Sequence, residues 1–269
     1  MTDAGLPRPQ VPADWNGPAP DAVVLAAGRG NRLRPLTDSL PKVLVPISGK
    51  PLLAYHLEAL RSAGVRRVVL VVGYRAPQVR HFVGDGASFG LEVDYVVQVD
   101  PRGTGDAVRV ARDEVHSDSM LVCYGDVFLP DETDLLRRFL RDSRPKMAGA
   151  QVRSGASFGR LTTEVRQGRT VLAGLQEKDG RPTPALVNAG LYLLPRRVLD
   201  LADRLSLSPR GEFELTDAVL YFATHESEVE VVDAGPWTDI ADAEDVARAE
   251  ALARATSSPI DSRVAGGTT

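Results

Sequence analysis

The chain has 269 residues, of which 43% are hydrophobic and 25% are charged. These fractions are typical of globular proteins and exclude a wholly disordered chain, a collagen-like repeat and a coiled coil. The net charge of −4 provides no global basic field for holding nucleic acid. We therefore expect no nucleic acid partner, and any anion-binding site must be local.

The chain contains a single cysteine, Cys123, which excludes an intramolecular disulfide and a multi-cysteine zinc site. Its apolar surroundings predict an inert thiol in a buried strand. No apolar stretch reaches the roughly 18 to 20 residues that span a bilayer, and the N-terminus lacks the pattern of a signal peptide. We therefore expect a cytoplasmic protein with no membrane partner.

The two ends of the chain differ in composition from the rest. The first 20 residues hold five prolines, and the segment after about residue 256 is rich in Ser, Gly and Thr. These compositions predict a disordered N-terminal arm over 1–20 and a disordered tail over 256–269. The folded body is then a single domain over 21–255.

Short apolar runs alternate with helical patterns in the first half of this body. Strands are predicted at 22–27, 67–72, 91–97 and 120–124, and helices near 52–62, near 76–83, after Gly103 and near 131–141. This alternation predicts an α/β fold with a Rossmann-like three-layer α/β/α arrangement and a mainly parallel sheet. Ligands bind such sheets at the carboxyl ends of the strands.

The pattern changes after about residue 146. Strand-like segments at 148–152, 161–165, 171–175 and 186–194 precede a helix after Gly211, and no linker separates them from the first half. This pattern predicts a mixed sheet in the second half.

A glycine loop follows the first predicted strand, in the segment LAAGRGNRLRPLTDSLPK. Gly28 and Gly30 allow a sharp turn that presents backbone N–H groups to an anion. The loop is neither a dinucleotide fingerprint, because leucine replaces the third glycine, nor a Walker loop, because no Gly-Lys-Ser/Thr follows. Arg32 and Lys42 add positive charge. The segment therefore has the outline of a phosphate loop, although a glycine turn with solvated arginines has the same composition.

The segment QVDPRGTGDA follows the strand that ends near residue 97. The amide of Gln98 offers donors and an acceptor, which suits the edge of a nucleobase. Gly103 allows close backbone approach, and Thr104 can cap the next helix. The same residues are also typical of an ordinary capped turn.

Two carboxylates follow apolar runs, Asp126 in YGD and Asp239 in WTDI. If they converge at the carboxyl edge of the sheet, they form an oxygen site for Mg²⁺ beside substrate phosphates. Each one alone is equally typical of a turn or a helix cap.

Cations occur in two further segments, Lys178 in QEK and Arg210 in SPRGEFELTD. Lysine can hold an anion as a point charge, and arginine can do so with two hydrogen bonds. Surface ion pairs would use the same residues. The four histidines lack ligand spacing and no serine has a nucleophile-elbow context, so zinc and covalent catalysis have no support.

In this order, the segments resemble the sugar-1-phosphate nucleotidyltransferases over about residues 21–250. The motifs that carry the resemblance are LAAGRGNRLRPLTDSLPKVLVPISGKPLLAYHLEAL, QVDPRGTGDA, YGD, FGRL, QEK, LVNAGLYLL, RGEFELTD and WTDI. The resemblance implies the nucleotide-diphospho-sugar transferase fold and the condensation of an NTP with a sugar 1-phosphate, with release of pyrophosphate. This reaction needs no side-chain nucleophile, because the attacking phosphate is already ionised.

The resemblance also implies roles for individual residues. Nucleotide binding falls to Leu25, Ala26, Ala27, Gly28, Gly30, Asn31, Gln98, Gly103 and Thr104. Catalytic roles fall to Arg32, Lys42 and Lys178, sugar-phosphate binding to Gly159, Glu177, Asn188, Arg210 and Glu212, and binding of the cofactor Mg²⁺ to Asp126 and Asp239. Asn31 departs from the Thr or Ser of most members, but its amide can still donate to a phosphate oxygen.

The identities of the substrates stay open at this point. Ala26 and Ala27 before the glycine loop resemble the uridylyl and thymidylyl branches, so UTP or dTTP is favoured, while WTDI also occurs in guanylyl members and leaves GTP open. A cyclitol phosphate, a non-sugar phosphate or a phosphonate could replace the sugar phosphate. A non-catalytic nucleotide sensor on the same fold is a further alternative. Members of the family often form homo-oligomers, and the absence of a hexapeptide repeat predicts no acyltransferase β-helix.

Overall fold

The computed structural model of this protein describes residues 19–202, 204 and 206–257. The strands are β1 (Asp21–Ala26), β2 (Pro46–Ile47), β3 (Lys50–Pro51), β4 (Arg67–Val72), β5 (Glu92–Val97), β6 (Ser119–Tyr124), β7 (Val127–Phe128), β8 (Lys146–Val152), β9 (Arg160–Arg166), β10 (Arg169–Gln176), β11 (Ala185–Pro195), β12 (Glu230–Asp233) and β13 (Thr238–Asp239). The α-helices are α1 (Leu36–Ser39), α2 (Leu52–Ser62), α3 (Ala76–Val83), α4 (Thr104–Val110), α5 (Glu132–Phe139), α6 (Val198–Ala202), α7 (Leu215–His225) and α8 (Ala243–Ser257).

The predicted ends of the chain fall mostly outside this description. Residues 1–18 of the predicted arm and 258–269 of the predicted tail lie outside the described residues. Helix α8 includes the first two residues of the predicted tail. No helix among the described residues is both long enough and apolar enough to cross a membrane.

The central sheet has nine strands in the order β5-β4-β1-β6-β11-β8-β12-β10-β9. Strands β5, β4, β1 and β6 are all parallel. Strand β11 is antiparallel to both β6 and β8, and β10 is antiparallel to both β12 and β9. The sheet therefore combines the predicted parallel half with the predicted mixed half.

Each face of the sheet is covered by helices, which confirms the three-layer architecture. Strand β4 shows why: Val68, Leu70 and Val72 face one core with helices α2, α3 and α5, while Val69 and Val71 face the other with α4, α6 and α7. From Val68 to Val72 the strand is apolar because both of its faces are buried. Cys123, in β6, is buried as predicted, and burial raises the pKa of its thiol.

A smaller third core joins α8 to the region after the glycine loop. Ala249 and Ala253 of α8 pack near Ile47, Leu52 and Phe128. Since Phe128 belongs to β7, which follows Asp126 closely, this core supports the carboxyl edge of the sheet from the outside.

Candidate active site

A cleft of about 370 Å³ opens at the carboxyl edge of the parallel strands. It is lined by all the predicted site residues except Ala26, Gly30 and Asn31. Ala26 is buried in β1, Gly30 is half-buried, and Asn31 is exposed at the start of a 3₁₀ turn over Asn31–Leu33. The predicted residues that line the cleft are Leu25, Ala27, Gly28, Arg32, Lys42, Gln98, Gly103, Thr104, Asp126, Gly159, Glu177, Lys178, Asn188, Arg210, Glu212 and Asp239.

The glycine loop is held in place by the segment that follows it, which contains Thr37 and Lys42. Gly30 adopts a left-handed conformation with φ of 66°, and a Cβ there would lie 3.1 Å from the side chains of Lys42 and Thr37. The Thr37 hydroxyl donates to the carbonyl of Gly30 at 2.7 Å, and the Tyr74 hydroxyl donates to the carbonyl of Thr37 at 2.9 Å. Gly30 thus shapes the loop, whereas Gly28 is exposed in the cleft, and no atom of the described residues lies within 4 Å of its Cβ position.

Lys42 and the two predicted metal carboxylates form one cluster. The Lys42 Nζ lies 2.7 Å from Oδ2 of Asp126 and 3.8 Å from Oδ1 of Asp239. The two aspartates meet because β13 pairs with β7, and the N–H of Ile240 donates to the Asp126 carbonyl at 2.8 Å. The predicted convergence of the two carboxylates is therefore present in the structure.

The electrostatics of this cluster follow from its burial. Burial alone lowers the pKa of Lys42, but Asp126 and Asp239 together raise it above its ordinary value. Burial and the neighbouring Asp126 raise the pKa of Asp239 to about 6, despite the opposing effect of Lys42. Burial also opposes ionisation of Asp126, yet Lys42 holds its pKa below the usual range. Lys42 is therefore an ammonium group that mainly neutralises Asp126.

The donor set of the cluster fits a hard divalent cation in combination with a substrate. Asp126 and Asp239 supply carboxylate oxygens, which Mg²⁺ prefers. Within the described ranges, no group of three or more His, Cys, Asp or Glu side chains is placed to hold a metal by itself. An ion here would therefore need further oxygens, which phosphate groups and water provide.

The predicted nucleobase end of the cleft packs against the start of α7, and one of the two predictions made there is wrong. A Cβ on Gly103 would lie 2.4 Å from the carbonyl oxygen of Phe213, so the absence of a side chain at Gly103 allows the backbone of Phe213 to approach closely. Thr104 does not cap its own helix. Its hydroxyl accepts a hydrogen bond from the N–H of Leu215 at 3.0 Å, and so serves the first turn of α7.

The predicted sugar end is organised around Glu177. The Thr216 hydroxyl donates to Glu177 Oε1 at 2.7 Å, and a Cβ on Gly159 would lie 2.8 Å from the same oxygen. Burial, with a contribution from Glu214, raises the pKa of Glu177. The N–H of Asn188 donates to the Gly159 carbonyl at 2.8 Å, which brings β11 and the Gly159 turn together.

Both predicted anion-binding cations of the sugar end are present in the cleft. Lys178 has a left-handed backbone with φ of 39°, which is uncommon for a residue with a side chain. Arg210 forms ion pairs with Glu214 and, at 3.2 Å, with Glu212. The guanidinium is therefore already held in place, but it shares its charge with two carboxylates.

Sequence reasoning missed several residues that line the same cleft. Phe158 and Trp237 form an edge-to-face pair with ring centroids 5.2 Å apart, and the Trp237 indole donates to the Ala189 carbonyl. Tyr124 also lines the cleft, and burial raises its pKa to about 12. Phe158 lies in FGRL, Trp237 in WTDI and Tyr124 in YGD, so the motifs contained the signal, but only their charged and glycine residues had predicted roles.

Comparison with known proteins identifies the family of the chain. The family described as nucleotidyl transferase matches residues 21–255. Glucose-1-phosphate thymidylyltransferase of Streptomyces griseus is 36% identical over 241 residues, which cover 88% of this chain and 67% of that protein. Mannose-1-phosphate guanylyltransferase of Mycobacterium tuberculosis is 32% identical over 237 residues, which cover 86% and 64%. The chain thus spans about two thirds of the length of these relatives.

Solved structures agree with this result. A Bacillus anthracis protein described as a candidate glucose-1-phosphate thymidylyltransferase, crystallised with sucrose, has a TM-score of 0.77 and 28% identity, and the match covers 88% of this chain and 96% of that one. A UDP-glucose pyrophosphorylase complexed with UDP-glucose has a TM-score of 0.74 at 19% identity and covers 88% and 97%. The second similarity concerns the fold alone.

Proposed function

This chain belongs to the sugar-1-phosphate nucleotidyltransferases, and from this premise we propose that it transfers a nucleotidyl group from an NTP to a sugar 1-phosphate in the cleft described above. The observation that carries the proposal is the convergence of charged side chains from separate segments on one cleft: Lys42, Asp126, Lys178, Arg210 and Asp239. A nucleotide sensor would have no need for all five.

In the proposed reaction, a phosphate oxygen of the sugar 1-phosphate attacks the α-phosphorus of the NTP. The new P–O bond forms as the bond to the bridging oxygen breaks, and pyrophosphate leaves with that electron pair. The buried ammonium of Lys42 would bind the reacting phosphate, while Lys178 and Arg210 would hold the acceptor phosphate in line. Catalysis then consists of positioning and charge neutralisation, as in other phosphoryl transfers.

Enzymes of this family generally use a divalent metal, and we propose that Asp126 and Asp239 hold Mg²⁺ in this protein. The bound ion would neutralise negative charge on the phosphates of both substrates. For this role Asp239 must be ionised, which burial beside Asp126 opposes. Lys42 lies within ion-pair distance of both carboxylates. When the metal binds these carboxylates, the Lys42 ammonium would turn toward the substrate phosphates.

We propose a pyrimidine nucleotide, dTTP or UTP, as the donor. The thymidylyltransferase relatives support this choice, and the guanylyltransferase relative makes GTP the comparison to test. The acceptor pocket contains three carboxylates, Glu177, Glu212 and Glu214, which suit the hydroxyl groups of a sugar.

The test is pyrophosphate release with Mg²⁺, with the four ribonucleoside triphosphates and dTTP crossed against sugar 1-phosphates and cyclitol phosphates. Release that requires both an NTP and one acceptor would support the proposal and identify the substrates. Binding of NTP without release from any pair would instead favour a nucleotide sensor. Release only with a cyclitol phosphate would retain the chemistry and change the acceptor.

A further inference from the structure

Asp106 is a buried carboxylate at the nucleobase end of the cleft that the proposed reaction does not use. It lies in the first turn of α4 and is only 3% exposed. It accepts a hydrogen bond from the Nε2 of Gln98 at 2.9 Å and one from Arg109 at 2.6 Å, and it lies 3.6 Å from Arg102. Asp106 therefore links the amide that is predicted to read the base to a pair of arginines.

This contact determines which way the Gln98 amide faces. Burial opposes ionisation of Asp106, but hydrogen bonds from Arg109 and Gln98 hold its pKa below the usual range. An ionised carboxylate only accepts hydrogen bonds. The second Nε2 proton of Gln98 is directed to the carbonyl of Gly103 at 3.1 Å. A flipped amide would place its oxygen against two acceptors, so the observed orientation is strongly favoured.

The remaining polar atom of the Gln98 side chain is its amide oxygen, Oε1. Within the described part of the chain, this oxygen accepts no hydrogen bond, and Gln98 lines the cleft. A ligand that meets Gln98 therefore meets an acceptor whose orientation is set from behind.

We propose that Asp106 is a positioning residue that holds the Gln98 carbonyl oxygen toward the nucleobase and so selects bases with a ring N–H. Uracil, thymine and guanine carry such a donor on their pairing edge, whereas the corresponding ring nitrogen of cytosine and adenine is an acceptor. This inference rests on the proposed function and deepens it, because it assigns the class of base to a residue of the QVDPRGTGDA segment that had no predicted role.

An asparagine at position 106 tests the logic with almost no change in shape. Its amide can either accept from Gln98 Nε2 or donate to Gln98 Oε1, so only the carbonyl of Gly103 still opposes the flipped orientation of Gln98. The flipped orientation donates to the ring nitrogen of cytosine. Asp106→Asn should therefore weaken UTP binding and strengthen CTP binding.

The experiment is calorimetric titration of UTP and CTP, with Mg²⁺ and without acceptor, into wild type, Asp106→Asn and Arg109→Gln. We expect the wild type to prefer UTP, and Asp106→Asn to reduce the ratio of the two affinities by roughly tenfold or more, as for other base-edge contacts. Arg109→Gln removes a partner of Asp106 without touching Gln98, and should leave the ratio within about twofold. Asp106→Glu retains an acceptor-only group and should keep the preference for UTP.

Each outcome supports or overturns the inference. An unchanged ratio in folded Asp106→Asn, or an equal loss of selectivity in Arg109→Gln, would overturn it while leaving the proposed function intact. If Asp106→Asn fails to fold, Asp106→Ser is titrated instead, because a hydroxyl can also donate to Gln98 Oε1. Wild-type protein that binds UTP selectively but releases no pyrophosphate would refute the proposed function and not the role of Asp106.

Discussion

The ionised Asp239 carboxylate should lower the free energy of unfolding of the metal-free protein at neutral pH. Its carboxylate is buried beside Asp126, which raises its pKa from 3.8 to about 6, whereas an aspartate in the unfolded chain keeps its ordinary value. The unfolded state therefore releases this proton more easily than the folded state. As the pH rises from about 4 to about 6, Asp239 lowers the free energy of unfolding, and above that range the loss is constant.

The pKa shift of Asp239 determines how much the free energy of unfolding changes. At about 1.36 kcal/mol per pKa unit, it corresponds to about 3 kcal/mol at pH 7. A quarter of the Asp239 side chain is exposed, so solvent screening makes this an upper value. Asp239→Asn removes the ionisable group, and should raise the free energy of unfolding at pH 7 by up to this amount while losing pyrophosphate release.

The assay is urea unfolding with EDTA at pH 7 and pH 5, with Asp126→Asn as the matched control. Lys42 lowers the pKa of Asp126, so the ionised form of Asp126 stabilises the fold and its removal should destabilise the protein at pH 7. The gain from Asp239→Asn should shrink at pH 5. This expectation is refuted if the free energy of unfolding changes in the same direction in both variants, or if Asp239→Asn does not raise it at pH 7. The ionised forms of Asp126 and Asp239 would then not have opposite effects on stability.

Further predictions concern the cations and one glycine. Lys42→Met should lower kcat, because it removes about 2 to 4 kcal/mol of transition-state stabilisation. Steady-state kinetics checks this, and a change in KM alone would show that Lys42 contributes only to substrate binding in the ground state. Lys178→Ala should raise the KM for the sugar phosphate and leave that for the NTP within about twofold, so equal effects on both would remove it from the acceptor site. Gly190 has φ of 78°, and a Cβ there would lie 2.8 Å from the Tyr124 side chain. Gly190→Ala should lower the free energy of unfolding in urea by about 1 to 3 kcal/mol, and by more than Gly168→Ala, because Gly168 has φ of 76° but no atom of the described residues within 4 Å of its Cβ position.

The local elements of the fold follow directly from the sequence. Helix α2, strand β4 and helix α3 occupy the predicted segments, because apolar spacing and the turn residues at their ends are properties of short stretches. For the same reason the YGD and QVDPRGTGDA motifs could be placed at strand ends. Helix α8 was not predicted, since it is rich in Ala and charged residues and only a narrow apolar stripe contacts the third core.

The pairing of side chains across the site was decided by the tertiary structure alone. Lys42 and Asp126 are 84 residues apart, and no periodicity in the sequence indicates that the ammonium would lie near both Asp126 and Asp239. Thr104 was expected to cap α4 and instead serves α7, because the close approach of residue 213 to Gly103 brings the two helix starts together. The sequence determined which chemical groups the protein carries at its strand ends. The order and pairing of the strands determined which of those groups meet, because each contact depends on backbone hydrogen bonds between distant segments.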